Sequence, residues 1–281
     1  MQSVKTFIVS SIIVLSIAGC RNKDEQAITI KGSDTMVNLV SAWAEGYMTA
    51  NPKTSISVDG GGSGTGVAAL ISGTADIAAS SRSIKPEEEA QGKVNGITPV
   101  EHTVARDAIS VIVNPSNPVA ELSMEQIAAV YKGEITNWSK VGGPDEKITV
   151  LSRENSSGTY AFFQEHVLNN KDYSKAALFL TSNATIVQEV SANKWAIGYC
   201  GLGYLIEAKG KIKPVAVKKD AFSAAVIPSE ETVNSGAYSI ARPLYLYTAG
   251  EPKGLVKSFI DFAMSEKGQK IVVETGFVTA R

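Results

Sequence analysis

Small polar residues and glycines collect at three points of the chain where an apolar, strand-like run breaks and a helical pattern begins. The three breaks carry the sequences KGSDTM at residues 31–36, GGGSGTG at residues 60–66 and SRENSSGT at residues 152–159. The first turn of a helix has unpaired backbone N–H groups and the positive end of the helix dipole, so a small anion placed there meets fixed donors. Three such turns in one chain predict that they converge on a single oxyanion.

The composition is that of a folded α/β protein. The 281 residues are 44% hydrophobic and 20% charged, they include 24 glycines, and no long low-complexity or like-charge block is present. This length allows one or two globular domains with a sizeable core. The formal net charge of −1 excludes a basic field, so we expect the anion to be held by a local site and nucleic acid not to be a partner.

The N-terminus has the pattern of an export signal. Lys5 precedes an apolar stretch, residues 7–18, which is too short to span a bilayer as a helix. The stretch ends in the sequence IAGC, which resembles the lipobox of bacterial lipoproteins and favours lipidation of Cys20 over an ordinary secretory signal with a chance cysteine. We therefore expect residues 1–20 to be a lipoprotein signal, residues 21–27 a tether, and the protein to be extracytoplasmic and lipid-anchored to the cell membrane.

One cysteine remains, Cys200, in the apolar run IGYCG. With Cys20 lipidated, an intramolecular disulfide is excluded. The two histidines, His102 and His166, lie in no recognisable catalytic pattern, so we expect Cys200 to be a small buried residue and not a nucleophile.

Strand-like and helix-like patterns alternate along the chain, which favours an α/β fold. A helix beginning with Pro86 and an acidic first turn is also predicted. The strand predictions are residues 75–80 and a β-rich stretch at 97–113, and the other helix predictions are residues 37–50, 66–72, 123–131, 159–168 and one amphipathic helix at 254–271.

Two apolar segments, residues 107–113 and 241–248, are candidate hinge strands. Between them lies a segment with its own strands and helices. If the last helix returns to the first part of the chain, lobe 1 comprises residues 28–108 and 241–281, and lobe 2 comprises residues 109–240. Ligands favour clefts between such lobes.

Five motifs together resemble the phosphate-binding protein of bacterial high-affinity phosphate ABC transporters. They are KGSDTM at 31–36, GGSGTG at 61–66, DIAASSR at 76–82, YKGEITNW at 131–138 and RENSSGT at 153–159, in the order found in that family. The resemblance implies a type II periplasmic-binding-protein fold, with a mixed sheet flanked by helices in each lobe and two hinge strands. It also implies binding of one dehydrated phosphate and its delivery to a membrane permease with its ATPase.

The resemblance also assigns the ligands of the phosphate. In lobe 1 it points to Thr35, the N–H of Met36, and Ser63. In lobe 2 it points to Arg153, Ser157, the N–H of Gly158, and Thr159. Residue chemistry agrees, because a guanidinium offers a planar fork to two oxygens and a hydroxyl can donate without adding charge.

Two positions depart from the family pattern. The carboxylate that accepts the phosphate proton is replaced by Ser81, whose hydroxyl can accept or donate and so rejects sulfate less sharply. Asp34 could supply that acceptor if its side chain turns inward. The acidic neighbour of the arginine is replaced by Asn155, which leaves the orientation of Arg153 open.

Each candidate also has a purely structural explanation. Thr35 or Asp34, and likewise Ser156 or Ser157, could simply cap a helix. Arg153 could form a surface ion pair with Glu154 or Glu165. We expect Arg82 to form an ion pair, either between the lobes or on the surface, and the tryptophans Trp43, Trp138 and Trp195 to be core or rim residues.

The motifs give no support to an enzyme. The segment GTGVAA lacks the acidic residue of a dinucleotide site, no serine lies in a nucleophile elbow, and no Walker lysine or metal-ligand cluster is present. We expect a monomer without metal, cofactor or catalytic residue. Two alternatives stay open: an exported phosphate sensor or adhesion protein, and a receptor for another tetrahedral oxyanion such as sulfate or arsenate.

Overall fold

A computed structural model describes residues 26–280, and the predicted signal, Cys20 and residues 21–25 of the tether lie outside that range. The helices are α1 (Val37–Ala50), α2 (Ser63–Ile71), α3 (Pro86–Val94), α4 (Met124–Lys132), α5 (Gly158–His166), α6 (Asn183–Ala192), α7 (Leu202–Glu207), α8 (Glu230–Asn234), α9 (Gly254–Met264) and α10 (Glu266–Glu274). Short 3-10 helices occupy Asp34–Met36 and Trp138–Val141.

The strands are β1 (Gln26–Gly32), β2 (Thr54–Gly61), β3 (Ile77–Ser80), β4 (Pro99–Val113), β5 (Glu121–Ser123), β6 (Thr149–Arg153), β7 (Leu178–Leu180), β8 (Ala196–Gly201), β9 (Lys213–Pro214), β10 (Ala216–Lys218), β11 (Ala225–Val226), β12 (Ala241–Ala249) and β13 (Val278–Thr279). The main sheet has the order β2-β1-β3-β12-β4-β8-β6-β7. Strands β1, β2 and β3 pair in parallel, whereas β12 is antiparallel to both β3 and β4. The predicted mixed sheet is therefore present.

Strand β4 joins the two ends of this sheet. Its first part pairs with β12 and its last five residues pair with β8. One hydrophobic cluster draws on residues 28–105 and 244–277, and a second draws on residues 108–240 together with Val278. The boundaries of lobes 1 and 2 stay a prediction, but each side of β4 has its own core.

Glycine permits the first strand-to-helix turn. Gly32 has a φ of +141°, and a Cβ atom there would lie 2.1 Å from the carbonyl oxygen of Ala79 in β3. A Cβ atom on Gly66 of α2 would lie 2.5 Å from the Cα of Gly32. The end of β1 and helix α2 thus approach more closely than any side chain allows.

Most predicted elements are confirmed, although several boundaries differ by one to three residues. Helix α1 has the predicted bounds. Helix α2 begins at Ser63 and not at residue 66, since the helix starts as soon as the positive-φ glycines end. Strand β1 begins at Gln26, so the last residues of the predicted tether pair with β2.

The predicted helix at residues 254–271 is two helices, α9 and α10, because Ser265 interrupts it with an extended backbone. The Ser265 hydroxyl accepts a hydrogen bond from the N–H of Gly268 at 3.2 Å and donates to the carbonyl of Phe262 at 2.6 Å. Hydrophobic periodicity continues through this break, which explains why the sequence pattern does not show it. Within residues 26–280, no helix has both the length and the apolar character needed to cross a bilayer.

Replacing Ser265 by alanine should lower the free energy of unfolding by about 1 kcal/mol, because the first turn of α10 loses its cap. Urea unfolding followed by circular dichroism measures this. Ser265→Thr keeps the hydroxyl and serves as the control. Equal stability of the alanine variant and the unmodified protein would show that the cap contributes nothing.

Candidate anion-binding site

The three turns singled out in the sequence meet at one buried place between the two cores. Thr35 follows β1, Ser63 is the first residue of α2, and Thr159 lies in the first turn of α5. The hydroxyl oxygens of Thr35 and Thr159 are 2.9 Å apart. The hydroxyl-bearing candidates Thr35, Ser63, Ser81, Ser157 and Thr159 are all at most 3% exposed.

The hydroxyl of Ser63 is anchored on one side. It accepts a hydrogen bond from the N–H of Ser81 at 3.0 Å, and the two serine hydroxyl oxygens lie 3.3 Å apart. Because the Ser63 oxygen already accepts, its own proton can be donated to Ser81 or into the cleft. The N–H of Gly64 donates to the carbonyl of Ser156 at 3.0 Å, which ties α2 to the turn before α5.

Gly158 closes the same space from the other side. A Cβ atom at this position would lie 2.2 Å from the hydroxyl oxygen and 2.9 Å from the Cβ of Ser63, and 2.6 Å from the hydroxyl oxygen of Ser81. Ser157 is the N-cap of α5, and its oxygen accepts from the N–H groups of Thr159 and Tyr160. The capping explanation therefore holds for Ser157, whose proton stays available as a donor.

Arg153 is buried at the end of β6 and does not form the surface pair with Glu154 or Glu165 considered from the sequence. Its Nε donates to the carbonyl of Leu180 at 3.3 Å and its Nη2 to that of Thr181 at 2.7 Å. Nη1 lies 3.1 Å from a carboxylate oxygen of Asp34 but is not directed at it, and this buried nitrogen makes no hydrogen bond. A charged donor of this kind is suited to an anion.

Asp34 does turn inward, so it does not cap the helix that follows it in the sequence. One oxygen of its carboxylate accepts from the backbone N–H of Asn183 at 2.8 Å and from its side-chain amide at 2.7 Å. Asn183 is the first residue of α6, where a negative charge is favoured. Asn155 is exposed, so the acidic partner of Arg153 comes from a different loop than the family motif implies.

A second buried ion pair was not predicted. Arg242 of β12 and Asp107 of β4 are direct partners across the two strands and both are at most 2% exposed. Nε and Nη2 of Arg242 lie 3.2 and 2.9 Å from one Asp107 oxygen. The remaining N–H groups reach the carbonyl of Ser81 at 2.9 Å and the Thr159 hydroxyl at 3.0 Å. The carboxylate of Asp107 at the start of the apolar segment 107–113 was the available sequence signal.

The hydroxyl of Tyr199 holds the backbone of Arg153 in place. The backbone N–H of Arg153 donates to the Tyr199 hydroxyl at 3.2 Å, and that hydroxyl lies 2.8 Å from the hydroxyl of Ser152. Burial raises the pKa of Tyr199. The ring therefore stays neutral and can donate and accept in this network.

The other residues considered in the sequence analysis make contacts of their own. The N–H of Met36 donates to the carbonyl of Ser33 within the 3-10 turn. Arg82 forms its ion pair with Glu88, six residues along the chain, at 2.6 Å, and its side chain is only 9% exposed, so this is neither a surface pair nor a pair with residues 109–240. Cys200 is buried as expected, and burial raises the pKa of its thiol. Trp43 and Trp138 are core residues as predicted, and Trp195 packs at the edge of a core.

Comparison with known proteins assigns the chain to a family. A family model described as a PBP superfamily domain matches residues 21–267. The phosphate-binding protein PstS of Staphylococcus aureus strain USA300 is 35% identical over 255 residues, which cover 89% of this chain and 77% of that protein. The chain therefore belongs to the PBP superfamily and, within it, to the family of PstS phosphate-binding proteins.

Solved structures agree with this assignment. A Clostridium perfringens protein, assigned as a phosphate ABC transporter substrate-binding protein and solved with bound phosphate, is 32% identical, with a TM-score of 0.83 and coverage of 91% of this chain and 100% of that chain. An ABC-type phosphate transport receptor from Vibrio cholerae is also 32% identical, with a TM-score of 0.72 and coverage of 90% and 100%. The family and the fold expected from the five motifs are confirmed.

Gly158→Ala should weaken binding of phosphate, the ligand expected from the sequence, by about tenfold or more, because the added methyl group meets Ser63 and Ser81 across the cleft. The backbone of Gly158 is helical, so alanine is compatible with the local fold, and thermal unfolding without ligand checks that the variant folds. Titration calorimetry measures the affinity. Gly60→Ala is the control, since its methyl group would meet only Val37 within lobe 1; equal affinities of both variants would contradict the close approach.

Proposed function

We propose that this protein binds inorganic phosphate in the cleft between lobes 1 and 2 and delivers it to the permease of an ABC transporter for phosphate import. The observation that carries this proposal is the meeting of buried hydroxyl groups from both sides of the cleft, together with a buried Nη1 of Arg153 that makes no hydrogen bond and lies 3.1 Å from the Asp34 carboxylate. The named relatives, which are phosphate-binding or phosphate-transport proteins, support the choice of ligand.

The chemistry of the site suits an oxyanion that carries little hydration. Ser63, Ser157, the N–H of Gly158 and the hydroxyl pair of Thr35 and Thr159 act as neutral donors, and Arg153 supplies a charged one. Arginine and aspartate residues balance at the cleft: Asp34 faces Arg153 and Asp107 faces Arg242. Selection therefore depends on directed hydrogen bonds more than on a net positive charge.

Phosphate differs from sulfate at neutral pH in having a proton to donate. Two groups can accept it. The Ser81 hydroxyl is buried and lies beside Ser63. The Asp34 carboxylate is a stronger acceptor, but one of its oxygens already receives both hydrogen bonds from Asn183. We infer that the Ser81 hydroxyl accepts the hydrogen bond from the phosphate proton and that Asp34 orients Arg153.

Hydrogen bonds between the two lobes hold the cleft closed. Lobe 1, residues 28–108 and 241–281, meets lobe 2, residues 109–240, through bonds such as those of Asp34 with Asn183 and Thr35 with Thr159. We propose that the lobes separate about β4 and β12 to admit phosphate and that these bonds form again on closure. The backbone hydrogen bonds between β4 and β12 are expected to persist through such a movement.

The setting of the protein follows from the N-terminus and the family. We propose that Cys20 is lipidated and anchors a monomer to the outer face of the cell membrane, where permease subunits and their ATPase are its partners. The proposed activity is binding without catalysis, metal or cofactor, and nucleic acid is not a ligand.

Titration calorimetry of the soluble domain, from residue 21 and stripped of ligand, tests the function with phosphate and then sulfate near neutral pH. We expect tight one-to-one phosphate binding and weak sulfate binding. Arg153→Ala should cost about 2 to 5 kcal/mol of binding free energy, because a charged donor is lost from a buried cleft. Near-native affinity of this variant would contradict the site, and Lys85→Ala, on the surface, is the control.

Ser81→Asp should increase the preference for phosphate over sulfate and make phosphate binding more sensitive to pH, because a carboxylate accepts the proton of phosphate and repels a fully ionised anion. Competition titrations at several pH values measure the preference. Ser83→Asp, two residues away, controls for an added charge. If the preference does not change in the Ser81 variant, Asp34 is the acceptor.

A further inference from the structure

Arg242 lies where the two strands that join the lobes run side by side, opposite Asp107 in the register of β12 with β4. We propose that Arg242 is a positioning residue for phosphate binding: it fixes the hydroxyl groups of Thr35 and Thr159 so that they donate a proton to the anion. This inference rests on the proposed function.

The guanidinium contacts both sides of the cleft. Through Nη1 it donates to the carbonyl of Ser81 in lobe 1 at 2.9 Å. Through Nη2 it donates to Thr159 in lobe 2 at 3.0 Å, and Thr35 lies 3.5 Å from the same nitrogen. The bonds to one oxygen of Asp107 fix the plane of the guanidinium, so these remaining N–H groups have defined directions.

The donors around Thr35 and Thr159 determine where the protons of these two hydroxyl groups can point. Arginine can only donate, so the Thr159 oxygen is an acceptor toward Arg242. The Thr35 oxygen is an acceptor toward the side-chain amide of Asn183 at 3.3 Å. When one of the two hydroxyls donates to the other across 2.9 Å, the second proton has no protein acceptor in this group. That proton is left for an oxyanion.

Arg242 and Asp107 act by orienting hydrogen bonds and not by adding net charge to the cleft. Arg242 and Asp107 are both buried and neutralise each other at 2.9 Å. Burial lowers the pKa of Arg242 and the carboxylate of Asp107 opposes that effect. Replacing both by neutral amides leaves the net charge of the cleft unchanged, so any loss of affinity reports the lost hydrogen-bond directions.

A double-mutant cycle with Thr159 tests the inference. The paired variant Asp107→Asn with Arg242→Gln is compared in two backgrounds, unmodified and Thr159→Val, by calorimetric titration with inorganic phosphate. We expect the paired variant to lose about tenfold or more in affinity when Thr159 is present and less than about threefold when it is replaced, because coupled residues are non-additive. A merely structural role would give equal losses in both backgrounds and would overturn the inference.

The ion pair of Arg82 with Glu88 provides a matched control. It is also buried on the arginine side and also joined by two hydrogen bonds, but neither residue contacts Thr35 or Thr159. Arg82→Gln with Glu88→Gln should show no coupling to Thr159. Coupling as strong as that of Arg242 would overturn the inference.

Thermal unfolding without phosphate checks that each variant folds. If the paired variant does not fold, Arg242→Lys replaces it in the same cycle, because lysine keeps the charge beside Asp107 and loses the planar fork. Failure of the unmodified protein to bind phosphate would overturn the proposed function and this inference together. Equal losses in a protein that binds phosphate would overturn this inference alone.

Discussion

Two ion pairs, one fully buried and one partly buried, set the geometry of the cleft. Moving a charge out of water costs several kcal/mol even after relaxation, so each buried charge must find a well-placed partner. Arg153 finds Asp34 across the cleft, and Arg242 finds Asp107 across two neighbouring strands. The pair of Arg153 with Asp34 forms only when the lobes meet. The pair of Arg242 with Asp107 joins β12 to β4 at the point where these strands pass from one lobe to the other. Both arginines are further held by backbone carbonyls, which leaves little freedom in how they face a ligand.

The balance of charges has a consequence for selectivity. A chain with a formal net charge of −1 does not attract anions by its overall field, and two aspartates at the cleft offset two arginines. The free energy of binding must therefore come from donors that are aligned before the anion arrives. In the proposed site, hydroxyl groups serve this purpose because their oxygens accept hydrogen bonds from other donors, that of Ser63 from the N–H of Ser81 and that of Thr159 from Arg242.

The helices add an electrostatic constraint of their own. Helices α2 and α5 begin on opposite sides of the cleft with their first residues close together, and the N–H of Gly64 donates to the carbonyl of Ser156 between them. Two positive helix ends close together are unfavourable, and an anion between them relieves this. The approach is possible because Gly62 and Gly158 carry no side chain there: a Cβ on Gly62 would lie 2.5 Å from the Ser156 carbonyl oxygen.

The sequence alone determined the class of fold, most of the elements and the three turns, because these depend on local patterns of glycine, hydroxyl and apolar residues. It indicated Thr35, Ser63, Arg153 and Thr159 through motifs of neighbouring residues. Only the tertiary structure decided that Asp34 and not Asn155 faces Arg153, that Ser265 divides the last helix pattern, and that Arg242 meets Asp107 135 residues away along the chain. The physical reason is that partners of buried charges are chosen by distance in space, which local sequence patterns do not record.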